Sequence, residues 1–182
     1  EYSQERAIAT QQTGFWFVAQ ARKNLPDHIG GVIWFGTDDA ATSPLTPIYC
    51  GTTDVPESLA EGTADMLTYS DKSMFWVTNR IAQFAYLRYD HIGKEVRTVI
   101  DEWENSMIDA LKKQDKVLAE MSPKKMTKKA TEWSVENAQA LWKKWSELDD
   151  YLMVKYIDGN VKLQNEDGSF MNNGHYPSQP EF

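Results

Sequence analysis

A chain of 182 residues is one domain or a large piece of one, long enough to bury roughly two-thirds of the surface its unfolded form exposes. Its 12% aromatic content, with seven Trp, is too rich in large apolar rings for a disordered segment. A net charge of −8 argues against nucleic-acid binding, and no apolar run reaches the roughly 20 residues that span a bilayer.

The strand signals come first. Phe15, Trp16, Phe17 and Val18 form an aromatic and β-branched run, and Asn24, Pro26 and Asp27 follow as turn residues. After Gly30 and Gly31, the run Val32 to Phe35 is apolar on both faces, which predicts a strand covered on both sides. Ile48, Tyr49 and Cys50 make a third short run, so residues 13–51 are expected to form an antiparallel meander. Residues 52–72 lack a sustained period and read as a connection with at most a short helical turn.

From Ser73 the period becomes helical. Met74 to Tyr89 is apolar nearly all round and predicts a buried helix, and Ile92, Val96, Val99, Trp103 and Met107 set one apolar stripe along about four turns. Gly93 is the expected break between the two. Ser122 and Pro123 open a short Lys-rich helix; Ser134 is a second candidate cap, for a helix that runs to Tyr156 and stops at Asp158 and Gly159. Residues 160–182 read as an irregular tail with a small hairpin near Asp167 and Gly168. The fold class is therefore α+β in a single domain or fragment: strand-rich 1–51, connection 52–72, helical 73–159 and tail 160–182.

Chemistry-bearing patterns are few. No Gly-x-Ser-x-Gly, His-Glu-x-x-His or phosphate-cradling glycine loop occurs, and His28, His91 and His175 are isolated in sequence. Neither a metal nor a cofactor is implied. Lys124, Lys125, Lys128 and Lys129 read as a solvated helix face, and Trp103 and Trp145 as core. Asp90 and His91 read as a surface pair, and Cys50 as a packed core thiol. Asp38 and Asp39 are adjacent carboxylates that an extended segment would point to opposite faces, in a turn or capping role.

The blocks Trp16-Phe17-Val18-Ala19-Gln20-Ala21-Arg22-Lys23-Asn24-Leu25-Pro26, Gly30-Gly31-Val32-Ile33-Trp34-Phe35-Gly36 and Thr46-Pro47-Ile48-Tyr49-Cys50-Gly51 resemble the dipeptidase A and secernin family. The stretch Ala85 to Tyr89 and the ending Lys155 to Gly159 have the look of that family's C-terminal helices. The resemblance implies an N-terminal-nucleophile cysteine peptidase that cleaves dipeptides, with two stacked sheets between helical layers, of which this chain would form a partial αββα layer. In that chemistry a thiol attacks and the chain's own α-amino group is its base, so the cysteine is the first residue of the mature protein. Residue 1 here is Glu, and Cys50 does not match that position.

The expectation is therefore a C-terminal segment of a dipeptidase, itself non-catalytic. Its partners would be the missing N-terminal portion of the same polypeptide, a dipeptide substrate and a second copy of the chain. Arg22, Asp38 and Asp39 are the candidate substrate-binding residues, because strand-end charges suit a dipeptide's carboxylate or amine. An alternative from a different class is a stand-alone protein-interaction module that uses an aromatic surface.

Overall fold

The computed structural model describes residues 7–171. Strand β1 (Phe15–Ala21) pairs antiparallel with β2 (Gly31–Thr37), and β2 with β3 (Thr46–Tyr49), in the order β1-β2-β3. The meander expected over 13–51 is thus present. The β1–β2 register sets Phe15 opposite Thr37 and Ala21 opposite Gly31. Between these strands the chain turns through a single helical turn, α1 (Asp27–Gly30), directly after Pro26. Pro47 sits in β3, an edge strand, where a missing N–H leaves no ladder bond unmade on the outer side.

The helices are α2 (Met74–Leu87), α3 (Lys94–Ala119) and α4 (Pro123–Tyr156). A five-residue π-type turn, Tyr89–Gly93, joins α2 to α3, so the break falls where Gly93 was expected. A Cβ on Gly93 would lie 3.1 Å from the Tyr89 ring, which explains why the smallest side chain stands there. Ser122 and Pro123 do open a helix, but it is one continuous helix of 34 residues. Ser134 is not its cap. It lies buried inside α4, and its Oγ accepts from the Tyr49 N–H (3.2 Å) and the Thr52 hydroxyl (3.2 Å), so a bond to the sheet accounts for a serine there. The α3 stripe runs further than expected, with Leu111 and Leu118 extending it to Ala119.

Two apolar clusters hold the layers together. In the larger, Ile81 of α2, Ile100 of α3 and Trp145 and Leu152 of α4 interlock, each with at most 1% of its surface exposed. In the smaller, Ile29, Val32 and Tyr49 of the sheet region meet Leu118, Met126 and Ala130. α2 is buried on one face only, since Tyr86 and Leu87 are exposed; its apolar character is wider than its contact face. The sheet departs further from expectation. Phe15 and Phe17 on one face of β1 and Val18 on the other are 61%, 55% and 50% exposed, so neither face of that strand is covered. The tail contains the expected small hairpin, with a Gln164–Phe170 bridge closed at Gly168 in the left-handed region (φ 84°). His175, Pro177 and the rest of the expected tail beyond 171 lie outside the described residues.

Candidate substrate-binding site

Where β2 ends at Thr37, the chain turns sharply because Asp38 adopts a left-handed backbone conformation (φ 67°), one that Asp tolerates better than most residues. The segment after it is clamped from three sides. The Trp16 indole of β1 donates to Ser43 Oγ at 2.8 Å, an approach that requires glycine at 36, since a Cβ there would lie 2.6 Å from Trp16 Nε1. From α3, Glu104 accepts from the Leu45 N–H (3.0 Å) and the Trp103 indole donates to the Leu45 carbonyl (3.2 Å). From α2, Thr78 meets Thr37 hydroxyl to hydroxyl at 3.1 Å.

This clamp buries both acidic residues. Asp38 and Asp39 expose 1% and 0% of their surface, so they are not loop charges in solvent. They do not face opposite ways either, because the left-handed residue breaks the extended geometry, and both meet α2. Asn79 donates to Asp38 Oδ1 (3.0 Å), and the Tyr86 hydroxyl donates to Asp39 Oδ2 (2.8 Å). Asp39 also accepts from the Ala41 N–H (3.0 Å) and the Thr42 hydroxyl (3.5 Å), the turn role expected of it. Asp38 Oδ2 is buried with no hydrogen-bond partner among the described residues. Burial pushes the Asp38 carboxyl above the usual carboxylate range, while the Asn79 bond pulls the other way. Burial and the bond to Asp39 push the Tyr86 phenol up to about 12, so at neutral pH it remains a donor. Asn79 and Tyr86 escaped the sequence reading because they sit in an apolar stretch; their spacing of seven, two helical turns on one face, was the available signal.

Arg22 lies at the other end of the sheet, a strand length or roughly 20 Å away, beside the Ala21–Gly31 pair. Its guanidinium pairs with Asp115 of α3 (2.6 Å), donates to the Ile29 carbonyl and lies over the Tyr49 ring, 5.5 Å from its centroid. The Tyr49 hydroxyl completes the cluster by donating to the second Asp115 oxygen (2.7 Å). Burial and Asp115 together raise the Tyr49 phenol far above its ordinary value. The structure thus brings Asp38 and Asp39 together and sets Arg22 apart from them.

Cys50 is exposed in the turn after β3, not packed in the core, because the strand ends at Tyr49 and the next side chain points outward. Its thiol makes no hydrogen bond among the described residues. His28 contacts the Thr127 hydroxyl (3.3 Å) at an exposed position. Asp90 and His91 form a surface pair that touches at 3.2 Å, since the π-type turn closes a gap that an α-helix would keep open. The four lysines at the start of α4 are exposed, as expected of a solvated face.

A sheet backed by long helices, with buried carboxyl groups at a strand end, is an α+β architecture compatible with hydrolase chemistry. The model of Peptidase family C69 matches residues 1–102, and the chain belongs to that family. It is 26% identical over 154 residues to "Probable dipeptidase B" of Streptococcus pyogenes serotype M1, across 81% of this chain and 30% of that protein. It is 25% identical over 111 residues to "Probable dipeptidase" of Latilactobacillus sakei, across 59% of this chain and 23% of that protein. The chain therefore matches less than a third of the length of either relative. The dipeptidase resemblance read from residues 16–51 stands, and that block lies wholly inside the family match.

Proposed function

We propose that this chain is a structural and substrate-contacting part of a dipeptidase that hydrolyses dipeptides through a cysteine nucleophile other than Cys50. The family match over the sheet and α2 carries the reading. It is supported by the setting of Cys50, whose thiol makes no hydrogen bond to a base among the described residues, as an activated thiol requires. In the N-terminal-nucleophile chemistry of the proposal, the attacking thiol lies in the part of the protein that this chain does not align with in its relatives. Asp38 and Asp39 contribute to the substrate pocket, and Arg22 braces the opposite end of the sheet through Asp115.

Hydrolysis of several dipeptides by this chain and by a full-length protein that contains it tests the reading. The full-length protein is expected to turn over dipeptides and to retain that rate in Cys50→Ala. Turnover by this chain alone that Cys50→Ala removes would overturn it.

One observation favours a second reading, a protein-interaction module. Gly14–Asp38 and Arg22–Gly30 are hydrogen-bonded pairs, so by the two-residue period the N–H groups of Phe15, Phe17, Ala19 and Ala21 point away from β2. Within Phe15–Ala21 that outer edge carries neither a charge nor a proline, two of the usual protections against strand pairing. Sedimentation of the chain separates the two readings: concentration-dependent association without any peptidase activity in the full-length protein would favour the module.

A further inference from the structure

We propose that the Asp38–Asp39 end of the sheet receives a primary ammonium group, the α-amino group of the dipeptide, by way of the Tyr86–Tyr89 pair. The identity of the amine rests on the dipeptidase reading; the ammonium site rests on the geometry alone. Two carboxyl side chains stand buried side by side, and among the described residues no Lys, Arg or His pairs with either. Every donor that reaches them among the described residues is neutral: Asn79, Tyr86, Thr42 and the Ala41 and Asp39 N–H groups.

One acceptor, Asp38 Oδ2, is buried with no donor in hydrogen-bonding geometry among the described residues. A buried acceptor without a donor is costly, and a buried carboxylate without a counter-charge more so. A primary ammonium answers both needs, since it brings positive charge and three N–H donors in a compact head. Entry is by way of Tyr86. Its side chain is 41% exposed while its hydroxyl rests on Asp39, so the phenol reaches from the carboxyl pair toward solvent. Tyr89, 49% exposed, stands beside it with ring centroids 5.6 Å apart, and aromatic faces favour a passing cation. An incoming amine displaces the phenol from Asp39 and donates to Asp39 and to the free Asp38 oxygen.

Titration calorimetry of the chain with alanyl-alanine, N-acetyl-alanyl-alanine and ethylammonium chloride tests the site. The expected result is that alanyl-alanine and ethylammonium bind and compete, that acetylation weakens binding about tenfold or more, and that Asp38→Asn does the same to both amines. Asn at 38 still accepts the Asn79 bond and tolerates the left-handed backbone, so the variant should keep its circular dichroism spectrum. Should it unfold, Tyr86→Phe serves in its place, because it frees Asp39 Oδ2 and should hold or tighten amine binding. Equal binding of the free and acetylated dipeptides, no effect of Asp38→Asn in a folded variant, amine binding lost in Tyr86→Phe, or no binding by either amine would overturn the proposal. Ethylammonium binding that depends on Asp38, without dipeptide binding, would uphold the ammonium site and contradict the dipeptidase reading.

Discussion

At the Gly31 end of the sheet, Asp115 is buried against a guanidinium and a phenol; at the Thr37 end, Asp38 and Asp39 are buried against neutral donors alone. In the first cluster both Asp115 oxygens are engaged and Arg22 is also tied to the Ile29 carbonyl, leaving only the buried Arg22 Nε without a partner among the described residues of that cluster. The second retains a carboxyl acceptor, Asp38 Oδ2, without a hydrogen-bond partner among the described residues. The difference teaches that acidic groups are buried at this sheet in two ways: Asp115 with a matched charge that ties α3 to the strands, and Asp38 and Asp39 beside α2 with no counter-charge among the described residues.

The contrast can be broken from its matched side first. Arg22→Met should keep the packing over Tyr49 but strand Asp115, with an expected loss of about 3 kcal/mol in urea unfolding. A loss under about 1 kcal/mol would mean that Asp115 finds solvent and that the ion pair does not brace the sheet. Tyr49→Phe removes one donor from the same carboxylate and should cost about 1–2 kcal/mol by the same measurement.

The unmatched side should answer with the opposite sign. Burial holds the folded-state Asp38 carboxyl above its unfolded value of 3.8. An acid shifted upward favours the folded state fully below the unfolded value and loses that contribution as pH rises through the folded value. Asp38→Asn removes this loss, so it should raise stability at pH 7 by on the order of 1 kcal/mol, and the gain should vanish near pH 3. Urea midpoints of the two proteins across that range check it. Phe17→Lys, on the uncovered strand, should change monomer stability by less than about 0.5 kcal/mol while suppressing any association seen by sedimentation.

Much of this architecture was legible in the chain. The aromatic runs and their Gly and Pro punctuation marked the three strands, the apolar run from Met74 marked α2, the three-and-four spacing marked α3, and Ser122-Pro123 marked the start of α4. Ser134 misled because a serine ahead of an apolar period looks like a cap, whereas its bond is to the Tyr49 amide, 85 residues away in sequence. The double-faced apolar character of Val32 to Phe35 suggested a strand covered on both sides, yet in β2 Ile33, Trp34 and Phe35 are only partly buried, and both faces of β1 beside it are exposed. For the site, adjacency singled out Asp38 and Asp39, but their burial depends on clamps from β1, α2 and α3 that no local pattern encodes. Arg22 carried a visible charge, and its partner Asp115, 93 residues on, could not be read without the fold.

A carboxyl carbon NMR titration of Asp38, with and without ethylammonium chloride, tests the unmatched end most directly. The account predicts that Asp38 titrates above the ordinary carboxylate range in the free protein and moves down when the amine is added, since a bound cation favours the ionised form. An Asp38 that titrates in the ordinary range, or a curve that the amine leaves in place, would contradict it.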